Sequence, residues 1–563
     1  MDKGEEADKV GGLPIVGKRR KKASDESTNS SLSAKSYPSS SSLTAATSIS
    51  RSRKPNEEPE NHGEPSLVEK KHYYDGLPSH PLLIARTGST KWSLPKSIQE
   101  ELPLKAMCNV GSSHCLVGIW ESVLDEIVKA LEPLAWTSID LLRIGYQDTA
   151  EKDWPVTLMI GAKPGSHWKV TIPVAVACRM ILRSHGAHEV ECEVRESESF
   201  FSVADRLITA NETIGRLEEE RAFSECVAQC ISPCAAPGRE GTLGIYLAVG
   251  STRTMCALTC RHVVFGVLEA ESEMKKAVAD DGIYRGIVQP SQCVFDKILA
   301  DMTLDFEETG EKSDFLKKIS DQQKMEDRRI GHVFFSPPRT IDVDKQLHDW
   351  LIVKLAAKRY ASLSTLQNWI HVGRDGYRLM QRLLPSNVKP ETNSSKDMVR
   401  LKGMVSKAEI FRTTAHNEPT QDHAALWVHM FGAHGSKLTT GISNEVRSVR
   451  RVNASIDSNE IITTREWCVV GRNGQRRNGA VLYGVNSISS PLRPFSEPGD
   501  SGSAMFDSQG RIAGILTSGC GAREDGRPGG TNNDFGCADV SYVRPIEVIL
   551  DAIKTKYGRV EVL

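Results

Sequence analysis

Apolar residues recur three and four apart through "LVGIWESVLDEIVKALEPL". Ile119, Trp120, Val123, Leu124, Ile127, Val128 and Leu131 share one face, which predicts a helix packed on one side. "SIDLLRIGY" and "WPVTLMIGA" are short apolar runs that predict strands. "KVTIPVAVACRMILRS" predicts a second helix beginning near Pro173, a residue suited to a helix start. "HEVECEVRE" alternates strictly and sets Val190, Cys192 and Val194 on one side of a strand. Helix, strand, strand, helix, strand is the order of a small α/β domain, here over residues 70–205. "DRLITANETIGRLEEERAFSECVAQC" predicts a helical connector over 206–235. Beyond residue 240 the texture changes to short Val, Ile and Leu runs separated by Gly, Asn, Ser and Pro, an all-β pattern. A charged insert over 269–330 interrupts it, with helices expected in "CVFDKILADMTLDF" and "EKSDFLKKISDQQKMEDRRIG". The closing "VRPIEVILDAIKTKYG" predicts a helix started by Pro545, with Ile546, Ile549, Leu550 and Ile553 on one face.

Composition narrows the function classes. The chain has 563 residues, room for about two to four domains. Its 71 basic residues balance 72 acidic ones, so bulk charge points to neither nucleic acid nor a membrane surface. No window approaches the roughly 20 apolar residues of a membrane helix. "MDKGEEADKVGG" lacks the apolar core of a secretory signal, so an intracellular, cytoplasmic or nuclear, location is expected. The thirteen cysteines are then read as mostly buried free thiols. Cys226, Cys230 and Cys234, at i, i+4 and i+8, read as an apolar helical stripe, since a fourth ligand at zinc spacing is not evident. Residues 1–66, rich in Ser and Lys, cannot bury a core and predict a disordered tail. Its basic clusters, Lys18–Lys22 and Arg51–Lys54, read as solubilising ahead of a nuclear address. The α/β domain holds no catalytic constellation. His114 and His167 read as structural or surface residues, and docking of a protein partner is its default role.

The candidate chemistry lies in "SEPGDSGSAMF". A serine hydroxyl needs a base, an acid to hold that base in the right tautomer, and donors for the oxyanion. Glycine at 499 and 502 lets the backbone turn so that the Gly499 and Ser501 amides can serve as those donors. His262, at the end of the apolar run "MCALTC", is the strongest base candidate. His332, His348, His416, His423, His429 and His434 sit among polar neighbours or alternate within a strand. Asp349, at the mouth of "WLIVKL", is the leading acid, with Asp342 and Asp344 as competitors.

In that order, "LTCRHVVF", "DWLIVKL", "GDSGSAMF", "GRIAGILTSG" and "VRPIEVILDAI" resemble the blocks of the chymotrypsin-like serine proteases. The closing block is similar to the barrel end of intracellular members, and the whole chain resembles trypsin-like proteins of filamentous fungi. The resemblance implies a multi-domain chain: a trypsin-like, all-β double β-barrel over 240–555 with a helical insert, preceded by the α/β domain and the tail. It implies a serine endopeptidase with His262 as base, Asp349 as orienting acid and Ser501 as nucleophile, and Gly499 and Ser501 amides as the oxyanion hole. A catalytically silent barrel serving as a binding or scaffold module is the alternative. Protein or peptide substrates are implied. No metal or cofactor is expected, no membrane, and no nucleic acid, because the globular part has no basic–aromatic patch.

The departures are specific. His262 to Asp349 spans 87 residues (349 − 262) and Asp349 to Ser501 spans 152 (501 − 349), both long gaps. Cys260 precedes the histidine, so the usual disulfide beside the base is unmatched. "PIVGK" follows proline and lies far from His262, so no activating amino-terminus is read there. Asp500 is expected to cap its own loop. Counting back six from Ser501 puts Phe495 at the base of the primary pocket, with Thr517, Ser518 and Gly519 as a wall able to pair with substrate backbone.

Overall fold

The structure, a computed structural model, describes residues 63–93, 103–200, 221–266, 286–309, 324–383, 390–393, 397–411, 425–432, 438–453, 461–472, 476–477, 480–481, 494–522 and 537–563. Residues 1–62 of the expected tail, 206–220 of the connector, and 269–285 and 310–323 of the insert lie outside them. The α/β segment comprises β1 (Leu83–Arg86), β2 (Lys105–Cys108), α1 (Trp120–Ala130), β3 (Trp136–Tyr146), β4 (Val156–Ala162), α2 (Trp168–Ser184), β5 (Glu191–Glu196) and β6 (Glu198–Phe200). The strands run β1–β5–β4–β3, with β2 beside β3. The β4–β5 pair is parallel, bridged by α2. Trp120, Val123, Leu124 and Ile127 of α1 and Val174, Cys178 and Leu182 of α2 cover Ile139, Leu158, Ile160, Cys192 and Val194. α2 begins at Trp168, ahead of the expected start, and carries Pro173 inside it. The ring denies a donor only to the carbonyl of Lys169, an exposed residue of the first turn. The far face of β5 is polar and also buried. Glu193 accepts the Tyr73 and Tyr74 hydroxyls at 2.5 and 2.8 Å. Arg195 pairs with Asp539, both fully buried.

The rest of the chain supplies β7 (Cys230–Pro233), β8 (Gly241–Thr242), β9 (Ile245–Val249), β10 (Thr254–Thr259), α3 (Arg261–Phe265), β11 (Gly286–Val288), α4 (Gln292–Thr309), β12 (Arg329–Phe335) and β13 (Leu351–Leu355). Then follow β14 (Trp427–Phe431), β15 (Leu438–Ser443), β16 (Ser448–Asn453), β17 (Ile461–Gly471), β18 (Ala504–Asp507), β19 (Ile512–Gly521), β20 (Val540–Pro545), α5 (Ile546–Tyr557) and β21 (Val560–Val562). One sheet is ordered β21–β9–β10–β13–β12–β11–β7–β8. In the other, β14, β15, β17, β20, β19 and β18 each pair antiparallel with the next, and β18 returns to β14. These six strands close a ring, so none of them is left as a free edge along its full length. β16 pairs with β17 and, through Val449↔Ile139 and Arg450↔Ser138, with β3. The α/β sheet therefore runs on into the ring.

Two sequence expectations change here. Residues 221–235 do not continue a helical connector: Ala222 is followed by turns, and Cys230–Pro233 is strand β7. The amides of Val227 and Ala228 bond to Trp369 and Leu243 across the chain, so they are not available to a helix. The Cys226–Cys230–Cys234 spacing is thus not a helical stripe. In the insert, α4 covers "CVFDKILADMTLDF" and buries Phe295, Ile298 and Met302. Of the second insert helix, the described part is Met325–Arg328. α5 starts after Pro545 and buries Ile546, Ile549 and Ile553 as the pattern predicts. None of the thirteen cysteines forms a disulfide, and nine of them are buried. No described helix is long and apolar enough to cross a membrane.

Candidate active site

β10 and β13 are antiparallel neighbours, with Thr259 opposite Leu351. The residues just after β10 and just before β13 therefore emerge together. His262 opens a single helical turn after Thr259, and Asp349 lies two residues before Leu351. The His262 amide donates to Asp349 Oδ1 at 3.0 Å, and its ring Nδ1 lies 2.5 Å from Asp349 Oδ2. A carboxylate can only accept, so Nδ1 carries a hydrogen, and in the neutral ring Nε2 keeps the lone pair. Burial pushes the Asp349 carboxyl up. The charge of His262 and its two hydrogen bonds, helped by Arg339, outweigh that and hold it below the usual carboxylate value. The competing acids are committed elsewhere. Asp342 takes Arg544 Nη2 at 2.5 Å and the Asp344 and Gln346 amides, and Asp344 takes Lys407 at 2.5 Å.

Ser501 lies in the turn between Pro494 and β18. Gly499 and Gly502 have φ of +96° and +94°, the left-handed region open to glycine. A Cβ on Gly502 would meet Thr242 O at 2.3 Å and the Cys260 amide nitrogen at 3.3 Å, so this turn presses on the strand end that leads to His262. Thr242 ties it there: its amide donates to Ser501 O at 2.8 Å and its hydroxyl to Gly499 O at 2.9 Å. Thr259 Oγ1 in turn donates to Thr242 O at 2.7 Å, and Cys260 Sγ to Leu516 O at 3.1 Å. Asp500 Oδ2 accepts the Glu497 amide at 2.9 Å, an internal cap of the loop. Within the loop the amides of Asp500, Gly502 and Ser503 bond to Glu497 O, Leu516 O and Asp500 O; among the described residues those of Gly499 and Ser501 donate to no acceptor.

The Ser501 hydroxyl donates to Thr517 O at 3.3 Å. The β19–β20 register breaks between Leu516 and Ser518, so Thr517 is the extra residue of a bulge, a device that re-aims a group beside a site. Thr517 Oγ1 donates to Tyr542 O at 3.1 Å, and Ser518 Oγ accepts from Arg450. Phe495 is packed in the ring interior with Val428, Trp467, Val469, Met505 and Leu516. Gly519 faces Phe200 of β6. Thr242, Thr259 and β6 carried no signal in the sequence, because each acts through a pairing far along the chain.

Two groups of described residues combine metal-ligating types within 4.8 Å: Cys260, His262 and Asp349; and His114, Cys115 and Glu189. In the first, both Asp349 oxygens already serve His262, and burial together with the Asp349 charge raises the Cys260 thiol well above its ordinary value, away from the thiolate a metal needs. In the second, His114 and Glu189 lie 3.3 Å apart, with Cys115 exposed.

No family model matches the chain, and no curated protein matches it. Among solved structures it is similar to a glutamic acid-specific serine protease that uses a histidine triad in substrate binding, at 13% identity over 60% of this chain and 100% of that one, with a TM-score of 0.25. It is also similar to the chymotrypsin of Cellulomonas bogoriensis, at 10% identity over 60% of this chain and 97% of that one, TM-score 0.23. The Nocardiopsis protease matches at 10% identity over 60% and 97%, TM-score 0.25.

Proposed function

We propose that the chain is a serine endopeptidase that hydrolyses peptide bonds through an acyl-enzyme. The observation that carries this is the pair of hydrogen bonds that Asp349 accepts from the His262 amide and ring, which hold the imidazole with Nδ1 protonated. In this reading His262 Nε2 takes the Ser501 proton as Oγ attacks the peptide carbonyl. The developing oxyanion takes the amides of Gly499 and Ser501. The imidazolium, stabilised by Asp349, then gives its proton to the leaving amine, and water releases the acyl group by the same route. Residues Thr517–Gly519 form the wall along which substrate backbone runs, and Phe495 supports the pocket from below. No step calls on a metal or cofactor. The fold reading is a double barrel with the site between its halves. Thirteen cysteines outside any disulfide accord with a location inside the cell.

Burial favours a second reading, a catalytically silent barrel used for binding: Ser501, His262 and Asp349 are 0%, 2% and 4% exposed. A fluorophosphonate probe separates the two. The expected result is labelling of the intact chain that vanishes in Ser501→Ala. No labelling of the intact chain would overturn the protease reading in favour of the silent barrel. Labelling that survives the substitution would overturn Ser501 as the nucleophile.

A further inference from the structure

The two edges of β19 are used differently. One pairs with β20 from Gly514 to Cys520. The other is divided into three parts. β18 takes Ile512–Ile515. The Ser501 loop takes the next stretch, with Gly502 donating to Leu516 O at 2.9 Å, Leu516 to Ser503 O at 3.0 Å and Ser501 Oγ to Thr517 O at 3.3 Å. Beyond Ser518, Gly519, Cys520 and Gly521 pair with Phe200, Ser199 and Glu198 of β6. The pairing is antiparallel, so β6 runs from opposite Gly521 towards Thr517 and Ser501.

An extended peptide added to this edge in the same sense would run towards Ser501. Such peptides bind by adding a strand to a sheet edge, and the edge is already filled. β6 lies off the main strand order of its sheet. The α/β segment holds it from behind: Ser197 N donates to Ala162 O at 2.9 Å and Thr137 Oγ1 to Ser197 O at 2.8 Å, while Arg450 Nε of β16 donates to Ser199 Oγ at 3.4 Å. The Phe200 ring lies beside Gly519: a Cβ built there would stand in ordinary contact with it, 3.4 Å from Phe200 Cε2, and 2.7 Å from Ala538 Cβ on the other side.

We propose that Glu198–Phe200 occupy, in cis, the peptide-binding edge beside Ser501, so that an extended peptide pairs with Gly519–Gly521 only when β6 leaves. This rests on the protease reading of Ser501. It gives the α/β segment a role: it delivers and anchors the occupant.

The test uses the full chain and two variants. Glu198→Pro puts a residue without an amide hydrogen into β6 opposite Gly521, and Phe200→Gly removes the ring set against Gly519. Thermal melts identify the variant that folds as wild type. Two readouts are compared: labelling by a small fluorophosphonate, which needs no strand edge, and hydrolysis of fluorescein-labelled casein, an unfolded polypeptide. The expected result is casein hydrolysis raised about tenfold or more, as for an edge open about a tenth of the time, with labelling at the wild-type rate. Labelling of all three proteins with casein hydrolysis equal to wild type would overturn the inference and leave the protease reading standing. Labelling of none, wild type included, would overturn the protease reading itself.

Discussion

His429 lies on β14 with its side chain on the face opposite Val428 and Met430, outside the ring interior, its Nδ1 3.0 Å from Thr440 Oγ1 and its Nε2 2.9 Å from Ser508 Oγ. His262 lies at the junction of β10 and α3, with Nδ1 2.5 Å from Asp349 Oδ2. Both rings are buried, at 0% and 2% exposure. Hydroxyls satisfy a neutral imidazole in either tautomer but bring no charge to offset an imidazolium. Burial accordingly pushes the His429 pKa down to about 3. A carboxylate fixes one tautomer and offsets the positive charge when the ring takes a proton. The partner decides whether a buried imidazole is held in one tautomer: the carboxylate fixes it for His262, and the two hydroxyls leave it open for His429.

The hardest test of that contrast is Asp349→Asn. The His262 amide is a donor, so the asparagine oxygen stays on it and the NH2 turns to the ring. Nδ1 must then accept, which moves the ring proton to Nε2, the wrong atom for a base. Fluorophosphonate labelling should slow by about 10⁴-fold with the melt little changed. Labelling within a few-fold of wild type would mean that the carboxylate does not set the tautomer.

Gly502→Ala approaches the same site from the serine's side. At φ +94° a Cβ would stand 2.3 Å from Thr242 O, a backbone atom that cannot move aside cheaply. The turn must shift, and with it Ser501. Labelling should fall by about 100-fold, the scale of an ångström-sized misplacement. A wild-type labelling rate in this variant would show that the turn does not position the nucleophile.

What the chain discloses on its own follows from the range of each interaction. The α1 stripe, the Val190–Cys192–Val194 face and the α5 stripe are local periodicities, and each is buried as its period requires. His262 and Asp349 are legible as strand ends because apolar runs flank them. The far face of β5 is not, since Glu193 finds Tyr73 120 residues away and Arg195 finds Asp539 344 residues away. Cys226, Cys230 and Cys234 mislead because a spacing of four fits a helix, while cross-strand bonds to Trp369 and Leu243 decide the backbone. Nothing within Glu198–Phe200 names the edge it joins. A three-residue run carries too little pattern to choose among the sheet's strands.

The smallest effect expected concerns His429 and stability. Its folded pKa, about 3, lies below its ordinary 6.5. Between those values the unfolded chain binds a proton that the folded chain refuses. Stability is therefore full above pH 6.5 and is lost as pH falls towards 3. From pH 7 to pH 5 the loss from this group is about 2 kcal/mol. His429→Gln keeps a donor and an acceptor for Thr440 and Ser508 and does not titrate. Urea unfolding at the two pH values should show wild type losing about 2 kcal/mol more than the variant, while both label with fluorophosphonate at one rate at pH 7. Equal losses would mean that His429 takes up its proton without unfolding.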